Sequence, residues 1–176
     1  GYGGQLRNWR QGVEQAKATP GVTDATPLIE QPLFASFNGR VEFALVRGMR
    51  VEDIRANPSL KGKEVLGKLA QLQPGGEQIE IGSRLAESLG ATLGSEISII
   101  NPQGAATPFG TMFRTVKYKI VTIFEVGIYD YDKQFVVMPM EDAQTLLLLG
   151  DAVGMVELDT VDPDRVDTIL APLIAR

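Results

Sequence analysis

The sequence predicts an α+β fold in which a β-rich insert, residues 78–125, interrupts a mixed helix-and-strand module built from residues 1–77 and 126–176. Three observations carry this reading. Helical stripes recur in the flanks, with apolar residues three and four apart. The middle stretch is mostly extended segments and turns. Within it, Arg114-Thr115-Val116-Lys117-Tyr118-Lys119-Ile120-Val121 alternates with period two, as a half-buried strand does. The order of elements suggests two interleaved modules rather than one sheet, with Pro74-Gly75-Gly76 as the first boundary.

From the start, Leu6, Trp9, Val13 and Ala16 form an amphipathic stripe over Gln5 to Ala18, which Pro20-Gly21 ends. Extended structure follows, with Pro27 and Pro32 marking edges or bulges. Asn38-Gly39 between Leu33–Phe37 and Val41–Val46 predicts a tight hairpin. From Arg50 to Leu72 the pattern reads as a broken helix: Val51–Ile54 starts one turn, Asn57-Pro58 interrupts it, and Val65, Leu66, Leu69 and Leu72 give a second stripe. Gln78–Gly82 is a strand, Ser83 an N-cap, and Gly90 the end of the helix carrying Leu85, Ala86 and Leu89. Glu96–Ile100 is a strand, Asn101 to Gly110 a long exposed loop, and Arg114–Val121 its returning partner. Phe135–Met138 is a buried strand closed by Pro139, Glu141–Leu149 a helix, Met155–Leu158 a strand, and Asp162-Pro163-Asp164 opens a final helix.

Composition narrows the function. The 176 residues are 44% apolar, 22% charged and 7% aromatic, enough for one or two modest cores. With 17 Lys and Arg against 22 Asp and Glu, the net charge of −5 disfavours nucleic acid as a partner. There is no His and no Cys, so an imidazole base, a Ser-His or Cys-His pair, a thiolate and the common zinc sites are excluded. No apolar run reaches the roughly 18 residues needed to span a bilayer, so a soluble segment is expected. The chain opens on Gly1 without an initiator Met, which reads as a domain excised from a longer protein.

Candidate chemistry is sparse. Asp130 and Asp132 could flank a cation, and Asp159, Asp162 and Asp164 faintly resemble a calcium loop, but capping and turn roles explain both, and no metal or other cofactor is expected. Leu89-Gly90-Ala91-Thr92-Leu93-Gly94 lacks the Lys-Ser/Thr of a phosphate loop, and Ser83 and Ser95 lack a nucleophile setting. No catalytic residue is assigned. The segment from Pro102 to Phe113 differs: it is long for a hairpin loop and centred on Thr107-Pro108-Phe109-Gly110-Thr111-Met112-Phe113. No acidic residue lies between Glu96 and Glu125, whereas Arg114, Lys117 and Lys119 follow the loop. An apolar finger beside a basic strand suits a partner that is concave and apolar at its centre and acidic at its rim.

The run Ile79–Ile97 is similar to a strand–helix–turn signature in extracytoplasmic domains of MacB-type ABC permeases. Two later features narrow this. The strand, Thr-Pro-x-Gly loop and strand from Ile97 to Ile120, and Met138-Pro139-Met140-Glu141-Asp142-Ala143-Gln144-Thr145-Leu146-Leu147, resemble the LolC/LolE family of lipoprotein-releasing permeases. The resemblance spans residues 79–149 well. It implies a periplasmic domain of a Gram-negative inner-membrane permease, with a discontinuous porter-like α+β subdomain (1–77 and 126–176) and a β-rich sabre-like subdomain (78–125) carrying a hairpin hook with loop 101–115. It further implies a non-catalytic role: recruiting the periplasmic chaperone LolA, which takes lipoprotein cargo for the outer membrane. The parent protein would work with a second permease subunit and the cytosolic ATPase LolD. Carried over by position, Thr107, Pro108, Phe109, Gly110 and Met112 form the hook. A supporting pad falls on Ser98, Arg114, Thr115 and Lys117, with Ser98 where the family has a basic residue. The alternatives are a MacB-like efflux or mechanotransmission domain that meets a periplasmic adaptor, and a carboxylate-based metal enzyme using Asp130 and Asp132.

Overall fold

The computed structural model describes residues 6–161. The expected final helix from Asp162 lies outside them. The elements, in order, are α1 (Trp9–Lys17), β1 (Val22–Phe37), β2 (Arg40–Met49), α2 (Val51–Ala56), β3 (Glu64–Gly67), a 3₁₀ turn (Leu69–Gln71), β4 (Gln78–Gly82), α3 (Ser83–Leu89), β5 (Glu96–Thr107), β6 (Gly110–Phe124), α4 (Tyr129–Gln134), β7 (Phe135–Pro139), α5 (Met140–Leu147) and β8 (Met155–Thr160). Among these residues no helix is long and apolar enough to cross a membrane.

Strands dominate, and their pairings form a closed circuit. β1 pairs antiparallel with β2, β2 parallel with β7, β7 antiparallel with β4, β4 parallel with β6, and β6 antiparallel with β5, which returns to β1. β8 extends the sheet along the first half of β1, and β3 adds to the end of β6. The middle stretch does not form a separate sheet of its own. β4 of the middle stretch joins β7 of the flank, and β5 joins β1, so both stretches share one hydrogen-bonded network.

Alternation along the strands splits the interior into two clusters. On β7, Val136 and Met138 enter the larger one with Ile79, Ile81, Ile97, Ile99, Tyr118 and Ile120. Helices α1, α3 and α5 feed it with Trp9, Leu85 and Leu146. On the other face, Phe135 and Val137 meet Leu28, Met49, Ile54, Leu60, Leu72, Val121 and Phe124.

Several local expectations hold for the stated reasons. Asn38 (φ 48°) and Gly39 (φ 82°) turn the β1–β2 hairpin, with Phe37 opposite Arg40. Gly90 (φ 71°) ends α3 in the left-handed conformation. Pro27 and Pro32 stand at edge positions within a 16-residue strand, each where β1 has a paired strand on one side only, so the missing N–H breaks no ladder on the other. Others are corrected. Val65 and Leu66 lie on β3, hydrogen-bonded to β6, not on a helix. Ser83 begins α3 without capping it; its hydroxyl donates to Glu125 Oε1 at 3.1 Å. The stretch Asn101–Gly110 is not a loop: β5 and β6 continue as a two-stranded ribbon up to Pro108 and Phe109.

Candidate functional site

The ribbon begins where β5 leaves the sheet. Ile99 and Ile97 are buried, and Asn101 still pairs with Arg114. The register then slips: Pro102, Gln103 and Gly104 face the single residue Phe113, and pairing resumes at Ala105 opposite Met112. Asn101 Oδ1 accepts the Gln103 N–H at 3.1 Å and fixes the bulge. Gly104 is obligatory there, since its φ is 58° and a Cβ would collide with the Met112 carbonyl.

Beyond the bulge, Thr107 pairs with Gly110. Its hydroxyl donates to the Gly110 carbonyl at 2.6 Å and accepts the Phe109 N–H at 3.2 Å. Pro108 cannot take the positive φ of the usual hairpin turns, so this side-chain bridge and the positive φ of Gly110 (107°) close the turn instead. The apolar side chains here are outside any core. Phe109 is 94% exposed and Phe113 72%, and Met112 is also exposed. Phe113 was in the apolar run of the sequence but not among the assigned hook residues. Its place opposite the bulge, where its ring stays exposed, is not visible in the sequence alone.

Of the expected pad, three residues share a face. Lys117 lies directly opposite Ser98, and Thr115 is opposite Ile100, all pointing away from the main cluster. Arg114 departs from them. By strand alternation it turns to the other face, where Nε donates to Leu146 O at 3.1 Å and Nη2 to Thr145 O at 3.2 Å. Arg114 thus caps the C-terminal carbonyls of α5, where a cation also suits the helix dipole. It joins the ribbon base to the body.

The acidic candidates have structural occupations. Asp132 is buried on α4, its two carboxylate oxygens accepting the N–H groups of Val126 at 2.8 Å and Gly127 at 3.0 Å. Asp130 is exposed on the same helix. Asp142, at the start of α5, accepts N–H groups of Gly75 and Glu77, while burial raises its pKa. Glu80 on β4 is different: it is fully inside, and neither carboxyl oxygen has a partner. The unpaired hydroxyl of Thr122 lies opposite it in register. Burial, with Glu64 nearby, pushes the Glu80 carboxyl up to about 8.

No family model matches the chain. At the sequence level it is 28% identical over 167 residues to the lipoprotein-releasing system transmembrane protein LolC of Neisseria meningitidis, covering 95% of this chain and 40% of the relative. It is 30% identical over 174 residues to LolC of Xylella fastidiosa, covering 99% of this chain and 42% of that protein. The chain thus spans about two fifths of the length of these relatives. Two solved structures share its fold. The periplasmic region of MacB from Actinobacillus actinomycetemcomitans superposes with a TM-score of 0.61 at 11% identity, over 94% of this chain and 72% of the other. The extracellular domain of the noncanonic ABC-type transporter YknZ from Gram-positive bacteria gives 0.59 at 12% identity, over 95% and 79%.

Proposed function

We propose, from the premise that this chain is the periplasmic domain of an ABC-transporter permease of the LolC type, that it recruits the lipoprotein chaperone LolA through the β5–β6 ribbon. In this reading the permease releases lipoproteins from the inner membrane, a second permease subunit and the cargo meet it through the parent protein, and LolD hydrolyses ATP in the cytosol. No bond is made or broken in this domain. The middle stretch 78–125 is the sabre-like part that presents the ribbon, and the flanks are the porter-like part.

The observation that carries the reading is the ribbon: Phe109 is held in water on a turn closed by Thr107, and Met112 and Phe113 are exposed further down on β6. Exposing such groups on a well-paired ribbon forgoes about 1.5 to 3 kcal/mol per side chain that burial would return, which a partner's apolar cavity supplies. Pro108 and the Thr107 bridge order the turn beforehand, so little conformational freedom is lost on docking. The fold is shared with MacB and YknZ and does not discriminate among these transporters; the sequence relationship to LolC favours the lipoprotein reading over an adaptor-binding one.

The test is calorimetric titration of purified LolA into the chain. Pro108→Gly combined with Phe109→Asp should weaken binding at least roughly tenfold, as expected of a central anchor. Unchanged affinity would sink the hook assignment.

A further inference from the structure

The ribbon accounts for only part of the apolar surface that the fold leaves uncovered. Strand register places Thr115, Ile100, Phe34 and Phe43 side by side across β6, β5, β1 and β2. A second row sets Lys117, Ser98, Ser36 and Val41 in the same order. Their strand neighbours Leu33, Ala35, Ala44, Ile97, Ile99 and Tyr118 enter the main cluster, so both rows point outward. Elsewhere on that outward face α2, the 3₁₀ turn and α4 lay down the second cluster, but neither cluster takes in Phe34, Val41 or Phe43. Phe34 and Phe43, directly opposed, are 41% and 43% exposed, and Val41 is more so.

We propose that the partner held by the ribbon tip also covers this hairpin face, with Phe34 and Phe43 as a second anchor, so that tip, pad and hairpin form one continuous interface. The inference rests on the tip-docking reading above. Two observations select that occupant. The first is continuity: with strands about 4.8 Å apart the row from Thr115 to Phe43 spans about 15 Å, and Phe109 lies six residues along the ribbon from Thr115, about 20 Å at about 3.3 Å per residue, so both fit the footprint of a single protein interface. The second is charge. Lys117 stands in the second row beside Ser98 without an ion pair among the described residues, no acid lies between Glu96 and Glu125, and the one acid at the margin, Glu96, sits opposite Lys119. The face therefore suits an apolar surface with an acidic rim.

The experiment is the same titration with LolA, comparing Phe34→Thr plus Phe43→Thr with Pro108→Gly plus Phe109→Asp. Threonine keeps the strand preference while removing the rings. The proposal expects each pair to weaken binding at least roughly tenfold, with the thermal midpoint of the threonine pair unchanged. If the tip pair weakens binding and the threonine pair stays within about twofold, the hairpin inference is overturned and the tip reading stands. If the tip pair has no effect, the tip reading itself fails. Should the threonine pair lower the midpoint, a photo-crosslinking residue in place of Val41 decides. A crosslink to the chaperone supports the proposal. A crosslink to a second copy, or none under conditions where position 109 crosslinks, overturns it.

Discussion

The closed strand circuit and the ribbon that leaves it share two strands, β5 and β6, yet they follow opposite rules. In the circuit, β5 and β6 send Ile97, Ile99, Tyr118 and Ile120 into a shared core, and burial holds the structure together. In the ribbon, none of the described side chains from Pro102 to Phe113 belongs to either cluster, and order comes from the ladder, the Asn101 bulge and the Thr107 bridge. The contrast separates residues that keep the fold from those free to meet a partner, and graded substitutions can probe it.

The largest effect belongs to the circuit. Ile120→Ala should cost about 2 to 5 kcal/mol in urea unfolding, because it opens a cavity between β4, β5 and β6. A loss below about 1 kcal/mol would deny the circuit its role as the core. Next comes Glu80. Its folded-state pKa of about 8 lies above its ordinary 4.5, so the folded chain holds a proton that the unfolded chain releases between those values. Stability from this group is full below pH 4.5 and is lost as pH rises through 8, with a slope of order 1.4 kcal/mol per pH unit. Glu80→Gln should flatten that slope in pH-resolved unfolding; a slope equal to the parent's would show that Glu80 is ionised or hydrated in the fold.

Smaller effects locate the joint. Arg114→Ala removes two hydrogen bonds to the α5 carbonyls and should lower stability by about 1 to 2 kcal/mol. Lys117→Ala, one face away, should leave stability within about 0.5 kcal/mol. Equal losses would contradict the division of β6 into an anchoring face and an outward one. Smallest of all, Pro108→Gly plus Phe109→Asp should shift the unfolding midpoint by no more than about 0.5 kcal/mol in equivalent stability. A large loss would mean that the tip supports the fold.

Where local chemistry decides the structure, the sequence is readable. Asn38-Gly39 needs only a positive φ, Gly90 only a left-handed cap, and Arg114–Val121 shows its alternation openly. Where a distant strand decides, it is not. Val65 and Leu66 match a helical stripe, but β6 offers hydrogen bonds and Gly67 packs its backbone against Val121, so the segment extends. Pro102 and Gly104 disguise β5 as a loop because a bulge needs residues that usually end strands. The apolar tip was legible because it conflicts with its polar surroundings. The Phe34–Phe43 face was not: on a strand an outward apolar residue looks like an inward one until its neighbours are known. Arg114 was grouped with Lys117 because composition ignores the one-residue flip that parts them.

The bulge at Asn101 and Gly104 also sets the terms on which this surface evolves. Among the described side chains beyond it none has a share of either core, so changes there are screened by what they bind and hardly at all by whether the chain folds. A segment of some eight residues, 105–112, can then be exchanged between relatives as a unit, and preference for a partner can drift on a faster clock than the scaffold that displays it.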